Sequence, residues 1–351
     1  MDHNRKDILL ADCEPEELEE LICGLNKALG INLELHTKKC NGSHTRLYNI
    51  YRYLVYILFP FKFFLRRKQY RYIICWQQFY ALFFSFFCRL FRTRKCNFVV
   101  VCNFTYKEKS ICRKSYKRFF SRCATCQYID VIHVLSDSYA AKCAKELDTE
   151  ISKFHVVPFG YPDVYHNRVQ SDCEYNDYAL AIGRSNRDYD FLVEAWKLMP
   201  KNRTLLIIGD TYKPKGSLPE NIIHRTDISS SEQLTYVSHC NAMIIPIADG
   251  SICSGDTVLV EAMACEKAVF LTEPSTLSEM YIDNGINGIV IKKDPKLFAE
   301  TVEGVISVPS RIKDLGKNAR LKYEKNYSRQ IMGLKLGEAI KLQLSQCKDI
   351  M

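Results

Sequence analysis

The stretch Ile244-Ile-Pro-Ile-Ala-Asp-Gly-Ser-Ile-Cys-Ser-Gly-Asp-Thr-Val-Leu-Val-Glu-Ala-Met-Ala264 predicts a buried β-strand, a loop of small residues and then an α-helix. The predicted helix begins over four consecutive residues, Ser254, Gly255, Asp256 and Thr257. The backbone amides at a helix start have no partner within the helix, and the positive end of the helix dipole adds to their effect. Together they favour an anion such as a diphosphate.

Glu261 lies four residues after Thr257, which places it on the same face of the helix and about 6 Å further along the axis. With phosphate at the helix start, a carboxylate there can accept hydrogen bonds from the vicinal hydroxyls of a ribose, as acidic residues do in dinucleotide-binding folds. An isolated Glu on a helix is more often simply solvated. The pattern around Glu261 is what favours the ribose role.

Short apolar runs alternate with helical patterns on both sides of this stretch, six of them before position 158 and six after position 177. Continuous apolar strands separated by helices are typical of parallel sheets covered on both faces. The sequence therefore predicts an α/β chain with two Rossmann-like, doubly wound parallel-sheet domains, at residues 1–165 and 166–328, that face a cleft. A final helix within residues 329–351 is long enough to return to the first domain.

The chain has 351 residues, of which 47% are apolar, and this ordinary composition excludes disordered and collagen-like classes. Its formal charge of +9 is concentrated in the first half. Between positions 35 and 129, 20 Lys and Arg residues face a single acid, Glu108, and the same segment holds 25 of the 42 aromatic residues. Sixteen scattered cysteines predict reduced thiols in a cytosolic chain, and no segment clearly predicts a bilayer span.

Interleaved aromatic and basic residues suit either single-stranded nucleic acid or a membrane surface. As a helix, residues 113–122 would have cations on one side and aromatic rings on the other, which is the form of an interfacial helix. The residues expected to contact an anionic membrane are Arg113, Lys114, Lys117, Arg118, Phe119 and Phe120. Segments 47–65 and 79–91 are apolar almost all round, with basic ends. We favour a membrane partner over nucleic acid; the alternative is that the aromatic rings fill the core and the charges are solvated.

Six motifs follow one another from the end of the first domain onward: Val157-Pro-Phe-Gly-Tyr161, Ala181-Ile-Gly-Arg184, Leu206-Ile-Ile-Gly-Asp210, Ser238-His-Cys-Asn-Ala-Met-Ile-Ile-Pro246, Val260-Glu-Ala-Met-Ala264 and Lys267-Ala-Val-Phe270. In this order and at these spacings the chain resembles the retaining GT-B glycosyltransferases of family four, the glycogen-synthase-like members of glycosyl transferases group 1. The resemblance covers about residues 154–344.

The resemblance implies roles for individual residues. Arg184 and Arg187 match the two cations that contact the donor diphosphate, and Glu261 matches the ribose-binding acid that closes a paired-Glu motif. Cys253 stands where that motif opens with an acid. The donor-binding residues that the resemblance and the helix start imply are Gly183, Arg225, Asp227, Ile228, Cys253, Ser254, Gly255, Asp256 and Thr257. Arg225 either stacks on the nucleobase or is only solvated.

Such an enzyme would transfer a hexose from a nucleotide-diphosphate sugar to a lipid-linked or oligosaccharide acceptor, with retention at the anomeric carbon and with no metal or other cofactor. It would act in glycan synthesis, in the cytoplasm, at the inner face of the cell membrane. In the first domain, Asn103 stands where family members often have a His, and we interpret His133 as a core residue rather than a base. The alternative function is a non-catalytic protein of the same fold that binds a nucleotide-sugar or a membrane.

Overall fold

The computed structural model describes residues 5–40, 46–107, 113–164, 173–229, 232–252 and 254–348. Tertiary contacts divide these residues into two units. The first unit runs to Pro158 and includes the residues from Arg329 onward, and the second unit is Phe159–Ser328. The sequence analysis places the first boundary slightly later, at 165/166.

The first unit contains a six-stranded parallel sheet with the order β2-β1-β3-β4-β5-β6. Its strands and helices are β1 (Lys6–Ala11), α1 (Glu19–Leu29), β2 (Leu33–Thr37), α2 (Arg46–Leu65), β3 (Tyr70–Cys75), α3 (Gln78–Leu90), β4 (Phe98–Val101), α4 (Arg113–Ala124), β5 (Val131–Val134), α5 (Asp137–Leu147) and β6 (Phe154–Val156). Helices α2 to α5 pack side by side as one layer.

The second unit contains another six-stranded parallel sheet, with the order β12-β11-β10-β7-β8-β9. Its elements are β7 (Tyr178–Ile182), α6 (Tyr189–Trp196), β8 (Thr204–Ile208), β9 (Ile222–Arg225), α7 (Gln233–His239), β10 (Ala242–Ile245), α8 (Asp256–Ala264), β11 (Ala268–Glu273), α9 (Thr276–Tyr281), β12 (Ile289–Lys292), α10 (Pro295–Ile306) and α11 (Pro309–Asn326). All twelve strands that the apolar runs predict are present, which confirms the two Rossmann-like units.

Side chains of the second sheet alternate between two buried layers. One face packs against α7 and α8 through Val237, Leu259 and Met263. The other face packs against α6 and α10 through Trp196 and Phe298. A sheet buried on both faces explains why its strands read as continuous apolar runs in the sequence.

The last helix, α12 (Arg329–Lys348), packs directly on α1 of the first unit. A Cβ atom built on Gly24 would lie 2.2 Å from the carbonyl oxygen of Gln330, and one built on Gly333 would lie 2.3 Å from that of Leu21. Glycine at both positions therefore lets the two helix backbones touch.

The second unit begins and ends at neighbouring points. The backbone amide of Tyr161 donates a hydrogen bond of 3.0 Å to the carbonyl of Tyr327, and Tyr161 pairs with Ser328 as an isolated parallel β-bridge. The segment that enters the unit is therefore paired with the segment that leaves it.

Candidate functional site

The second sheet reverses its strand order between β7 and β10. From β7 the chain builds outward through β8 to β9, and it then returns to place β10 on the other side of β7. Open α/β sheets bind ligands beyond the carboxyl ends of the strands at such a point. The loops that leave these two strands are residues 183–188 and 246–255, and both contain predicted site residues.

Asn186 ties the two loops together. Its Nδ2 donates to the carbonyl of Asp249 at 2.9 Å and to the hydroxyl of Ser254 at 3.0 Å, and its Oδ1 accepts from the amide of Asp249 at 2.8 Å. The backbone of Asn186 is left-handed, with φ of 56°, a conformation that Asn tolerates better than most residues. The sequence analysis missed this residue; an Asn two positions after the Gly-Arg pair is the signal that was available.

Gly183 follows β7 with φ of 142°. A Cβ atom there would lie 2.7 Å from Nε of Arg187, whose side chain passes alongside. The hydroxyl of Tyr189 donates a 2.7 Å hydrogen bond to the carbonyl of Gly183. The predicted donor-binding glycine is therefore required by the arginine beside it and is fixed by a tyrosine from α6.

Arg187 places a guanidinium beside the start of α8. Its Nε donates to the carbonyl of Ile182 at 3.1 Å and its Nη1 to that of Ser185 at 3.2 Å. A Cβ built on Gly255 would lie 3.2 Å from both Nη atoms. Burial lowers the pKa of Arg187, and the nearby charge of Asp256 opposes that shift. Because an Arg side chain stays protonated in proteins, this is a partly buried cation at a helix N-terminus.

Arg184 is about half exposed and lies after β7, facing the end of β8. Its Nε lies 3.1 Å from Oδ1 of Asp210, with 49% of the arginine side chain exposed. The hydroxyl of Thr211 donates to the carbonyl of Arg184 at 3.0 Å. Because an exposed ion pair contributes little to stability, Arg184 can exchange the carboxylate for a phosphate at small cost.

The start of α8 lies where the sequence predicts it. Gly255 is the N-cap, with φ of 105°, and Asp256 is the first helical residue. Thr257 is exposed and Ser254 is half-buried, and both lie at the helix start where the sequence predicts an anion site. Cys253 falls outside the described residues.

The Asp256 side chain is buried and accepts a hydrogen bond from Tyr281. Burial raises the pKa of Asp256, and the Tyr281 hydrogen bond and the charge of Arg187 oppose the shift. The side chain of Asp256 therefore turns into the protein and is held there by Tyr281.

Glu261 is 9% exposed and accepts a 2.8 Å hydrogen bond on Oε1 from the hydroxyl of Tyr161. Burial raises the pKa of Glu261, and the hydrogen bond from Tyr161 opposes that shift. The hydroxyl of Tyr323 donates to the carbonyl of Tyr161 at 2.9 Å. The carboxylate is therefore held within the second unit rather than in bulk water, by a tyrosine that belongs to a quoted motif but was given no role.

A cavity of about 220 Å³ lies at the carboxyl ends of β7, β8 and β9. Four predicted site residues line it: the donor-binding Gly183, Arg225 and Ile228, and the cation Arg184. Val258, three residues before Glu261 on α8, also lines it. This volume is below the roughly 300–1,000 Å³ typical of drug-sized ligands, so it suits one ring system of a ligand rather than all of it.

Arg225 is held in place at the wall of this cavity. Its guanidinium donates to both carboxylate oxygens of Asp227, at 2.8 and 2.7 Å, to the hydroxyl of Tyr175 at 2.9 Å, and to Glu174. The pairing with Arg225 lowers the pKa of Asp227 to about 2. The two predicted residues therefore bind each other, and the guanidinium plane is fixed before any ligand arrives.

His133 in β5 is fully buried, and both of its ring nitrogens are used. Nδ1 accepts from the backbone amide of Asn103 at 3.1 Å, so Nε2 carries the proton and donates to the carbonyl of Val157 at 2.7 Å. Burial lowers the pKa of His133 to about 4. The interpretation of His133 as a core residue is confirmed.

Helix α4 turns its aromatic side inward. Phe120 is fully buried, with its ring centroid 4.7 Å from that of Tyr116 and 5.8 Å from that of Phe104. The prediction that Phe120 contacts a membrane is wrong, because its ring fills the core of the first unit. Phe119 is half-buried, with its ring 5.2 Å from that of Phe83 of α3. The predicted cations are exposed: Arg113, Lys114, Lys117 and Arg118.

Helix α2 instead presents apolar side chains to solvent. Five exposed residues share one face of the helix, and we call them the α2 stripe: Leu47, Tyr51, Leu54, Leu58 and Leu65. Between 43% and 80% of each is exposed. Tyr56 and Phe63, on the opposite face, are buried. Exposed apolar surface of this kind is a candidate contact surface for a protein or a membrane.

Two kinds of feature are absent from the described residues. None of the helices there is both long and apolar enough to cross a bilayer. Within the same residues, no group of three or more His, Cys, Asp or Glu side chains is arranged to hold a metal ion.

Sequence comparison gives two matches. Residues 176–307 match the family described as glycosyl transferases group 1. An uncharacterised glycosyltransferase of Methanocaldococcus jannaschii is 27% identical over 190 residues, which are 49% of this chain and 52% of that protein. The chain thus spans about half the length of this curated relative.

Several solved structures share the fold along almost the whole chain. Sucrose-phosphate synthase of Thermosynechococcus elongatus superposes with a TM-score of 0.70 at 15% identity, over 97% of this chain and 100% of that one. HepE of Anabaena in complex with UDP-glucose gives 0.65 at 14% identity, over 97% and 99%. WaaG, a glycosyltransferase involved in lipopolysaccharide biosynthesis, gives 0.61 at 15% identity, over 95% and 98%. The chain therefore has the GT-B fold of two Rossmann-like units, and its residues 176–307 match the glycosyl transferases group 1 family.

Proposed function

We propose that the protein is a retaining glycosyltransferase that transfers a hexose from a nucleotide-diphosphate sugar to a lipid-linked or oligosaccharide acceptor in glycan synthesis. The observation that carries the proposal is the partly buried guanidinium of Arg187, which lies beside the glycine-capped start of α8 at the strand-order reversal of the second sheet. A fixed cation beside the positive end of a helix dipole forms a site for an anion with more than one charge.

The donor would be bound by the second unit alone. The nucleobase would enter the cavity lined by Arg225 and Ile228, and the ribose hydroxyls would bind Glu261. The diphosphate would lie at the start of α8, between Arg184 and Arg187. A uracil base is the first candidate because HepE, a structural neighbour, was solved with UDP-glucose.

The reaction would break the bond between the anomeric carbon and the diphosphate oxygen and form a bond from that carbon to an acceptor hydroxyl on the same face. The acceptor proton would pass to the departing phosphate oxygen, which agrees with the structural role of His133. Negative charge grows on the diphosphate as the bond breaks. Fixed donors at that point stabilise the transition state more than the ground state, which is commonly the largest catalytic effect.

The acceptor would be reached at the inner, anionic face of the cell membrane, where the protein would be a peripheral cytoplasmic enzyme. Two observations support this part of the proposal. They are the exposed α2 stripe and the lack of any Asp or Glu in α2, α3 and α4. Cations near an anionic surface contribute roughly 1 kcal/mol each to membrane attachment.

A thermal-shift screen of nucleoside diphosphates, followed by turnover of the matching nucleotide-sugars, tests the proposal. A diphosphate that binds the native state raises the melting temperature, and Arg184→Ala and Glu261→Gln should both remove that rise and abolish turnover. Unchanged turnover in both variants would overturn the assignment. Binding of a nucleotide-sugar with neither transfer nor hydrolysis would instead identify the non-catalytic alternative.

A further inference from the structure

A groove between the end of α3 and the side of α4 is unused by the proposed reaction. It encloses about 670 Å³, which is within the range of small-molecule sites. Its apolar lining includes Phe86, Leu90 and Phe119, and its basic lining is Arg89, Arg92, Arg118 and Arg122. Four guanidinium groups around an apolar hollow match a ligand with one strongly anionic group and one apolar part.

The ion pairs described in the first unit use cations outside the groove. These cations are Lys6, His36, Lys39, Arg71 and Lys95. Within the described residues, the four groove arginines take no part in such a pair. Arg89 does donate to the backbone carbonyl of Arg122 at 3.1 Å, and this bond joins the two helices at the groove.

The apolar part of the groove is well packed and continues toward α2. The ring of Phe119 lies 5.9 Å from that of Phe86, so the two form a continuous wall. At the rim, Leu90 is 59% and Phe91 is 57% exposed. The ring of Phe91 stacks on that of Phe64 of α2, with centroids 5.4 Å apart.

We infer that this groove binds one anionic phospholipid of the membrane, whose phosphate monoester headgroup is held by the arginines and whose first acyl carbons lie against Phe86 and Phe119. Arginine suits this role because its planar fork donates two parallel hydrogen bonds to phosphate oxygens. A single-stranded nucleic acid fits less well, since base stacking needs free ring faces and these rings contact each other. The inference rests on the proposed membrane-surface function and adds a specific lipid to it.

The test is calorimetric titration of the full chain with dihexanoyl phosphatidic acid, kept below its micelle concentration so that no membrane forms. We expect saturable binding of one lipid per chain. Two control ligands should each bind at least about tenfold more weakly. One is dihexanoyl phosphatidylcholine, which lacks net charge, and the other is inorganic phosphate, which lacks acyl chains. Inorganic phosphate that bound as tightly as the lipid would overturn the inference in favour of a simple phosphate site.

Two charge-matched variants of α4 separate the groove from general basicity. Arg118→Glu with Arg122→Glu reverses two groove cations and should weaken lipid binding at least about tenfold. Arg113→Glu with Lys117→Glu makes the same change of charge on the same helix but outside the groove lining, and should change binding less than about threefold. Equal losses in the two variants would overturn the inference. If the first variant melts early, Arg118→Gln with Arg122→Gln replaces it.

The lipid-site inference and the transferase proposal can be overturned independently of each other. Glu261→Gln, which should abolish sugar turnover, should bind dihexanoyl phosphatidic acid like the unaltered chain, because Glu261 lies in the other unit. Turnover without saturable lipid binding would overturn the lipid site alone. Saturable binding in a chain that never turns over a nucleotide-sugar would overturn the transferase proposal alone.

Discussion

The hydroxyl of Tyr161 donates a 2.8 Å hydrogen bond to Oε1 of Glu261, across 100 residues of sequence. The bond stabilises the ionised carboxylate in a position where burial disfavours it. It leaves the remaining acceptor sites of Glu261 for another donor, because a carboxylate can accept about four hydrogen bonds. This is the arrangement that the proposed binding of ribose hydroxyls requires of Glu261.

Glu261→Gln should stabilise the chain at neutral pH while it weakens nucleotide binding. Burial raises the pKa of Glu261, so between the unfolded and folded pKa values the folded state binds more protons. The free energy of unfolding therefore falls as the pH rises through that range and stays reduced at pH 7. We expect a melting temperature about 2 °C or more higher at pH 7 and nucleotide affinity about 10–100-fold lower. An unchanged affinity would remove Glu261 from the site.

Tyr161→Phe should shift the pH dependence of nucleotide binding upward. Without the Tyr161 hydrogen bond, the pKa of Glu261 rises further, so the carboxylate is protonated at a higher pH as the solution is acidified. Nucleotide dissociation constants measured across pH in both proteins check this. The control is Tyr212→Phe, which removes a hydrogen bond to Asp190 instead and should leave the midpoint where it is.

Arg187→Lys should be almost as harmful to turnover as Arg187→Ala. A lysine keeps the charge but loses the planar fork that bonds the carbonyls of Ile182 and Ser185. We expect kcat to fall about 100–1,000-fold, as when a fixed donor to a developing anion is removed. If lysine restores most of the activity, charge alone suffices and the fork geometry is irrelevant. Steady-state kinetics with the nucleotide-sugar found in the screen decide this.

Gly255→Ala should abolish donor binding and destabilise the second unit. The residue has φ of 105°, and an added Cβ would lie 3.0 Å from Cδ1 of Leu277 and 3.2 Å from Arg187. Gly304→Ala in α10 is the matched control, because a Cβ there meets nothing within 4 Å. An alanine inside a helix should raise stability by up to about 1 kcal/mol and leave turnover unchanged. Calorimetric melting and nucleotide titration of both variants provide the comparison.

Leu54→Gln with Leu58→Gln should reduce attachment to anionic vesicles about tenfold. Both residues belong to the α2 stripe and are more than half exposed, so the change removes apolar contact without opening the core. The matched control is Leu198→Gln with Leu321→Gln, which alters two similarly exposed leucines of the second unit. Flotation with vesicles that contain anionic lipid measures the effect. Identical flotation of the two variants would exclude α2 as the attachment surface.

The strands were the most predictable part of the fold. A strand that is buried on both faces of its sheet needs apolar residues at successive positions, whichever elements pack against it. In the second unit, β7 is buried along its whole length and β8 is buried after its first residue. Helical periodicity, however, shows only that a helix has an apolar face and a polar face. It does not show which part of the protein, or which partner, packs against each face. For this reason the sequence assigns Phe120 to a membrane, although its ring fills the core. For the same reason the sequence of α2, which is apolar almost all round, does not predict which face of the helix is buried.

The candidate site was predictable where local sequence controls backbone geometry. The start of α8 and the glycine after β7 are local features. The partners of these residues are not: Asn186 reaches Asp249 across 63 residues, and Tyr161 reaches Glu261 across 100. Such contacts depend on which strands become neighbours at the strand-order reversal, and spacing along the chain does not contain that information.

The pairing of Tyr161 with Tyr327 and Ser328 makes the second unit an insertion into the first. The two ends of the second unit are hydrogen-bonded to each other. Its 170 residues therefore bridge no more distance in the first unit than a tight surface turn does. Bringing these two ends together therefore costs the first unit little conformational entropy, whatever the length of the second unit. Exchange of whole nucleotide-binding modules between relatives would therefore require only two neighbouring junctions, with no repacking of α12 on α1.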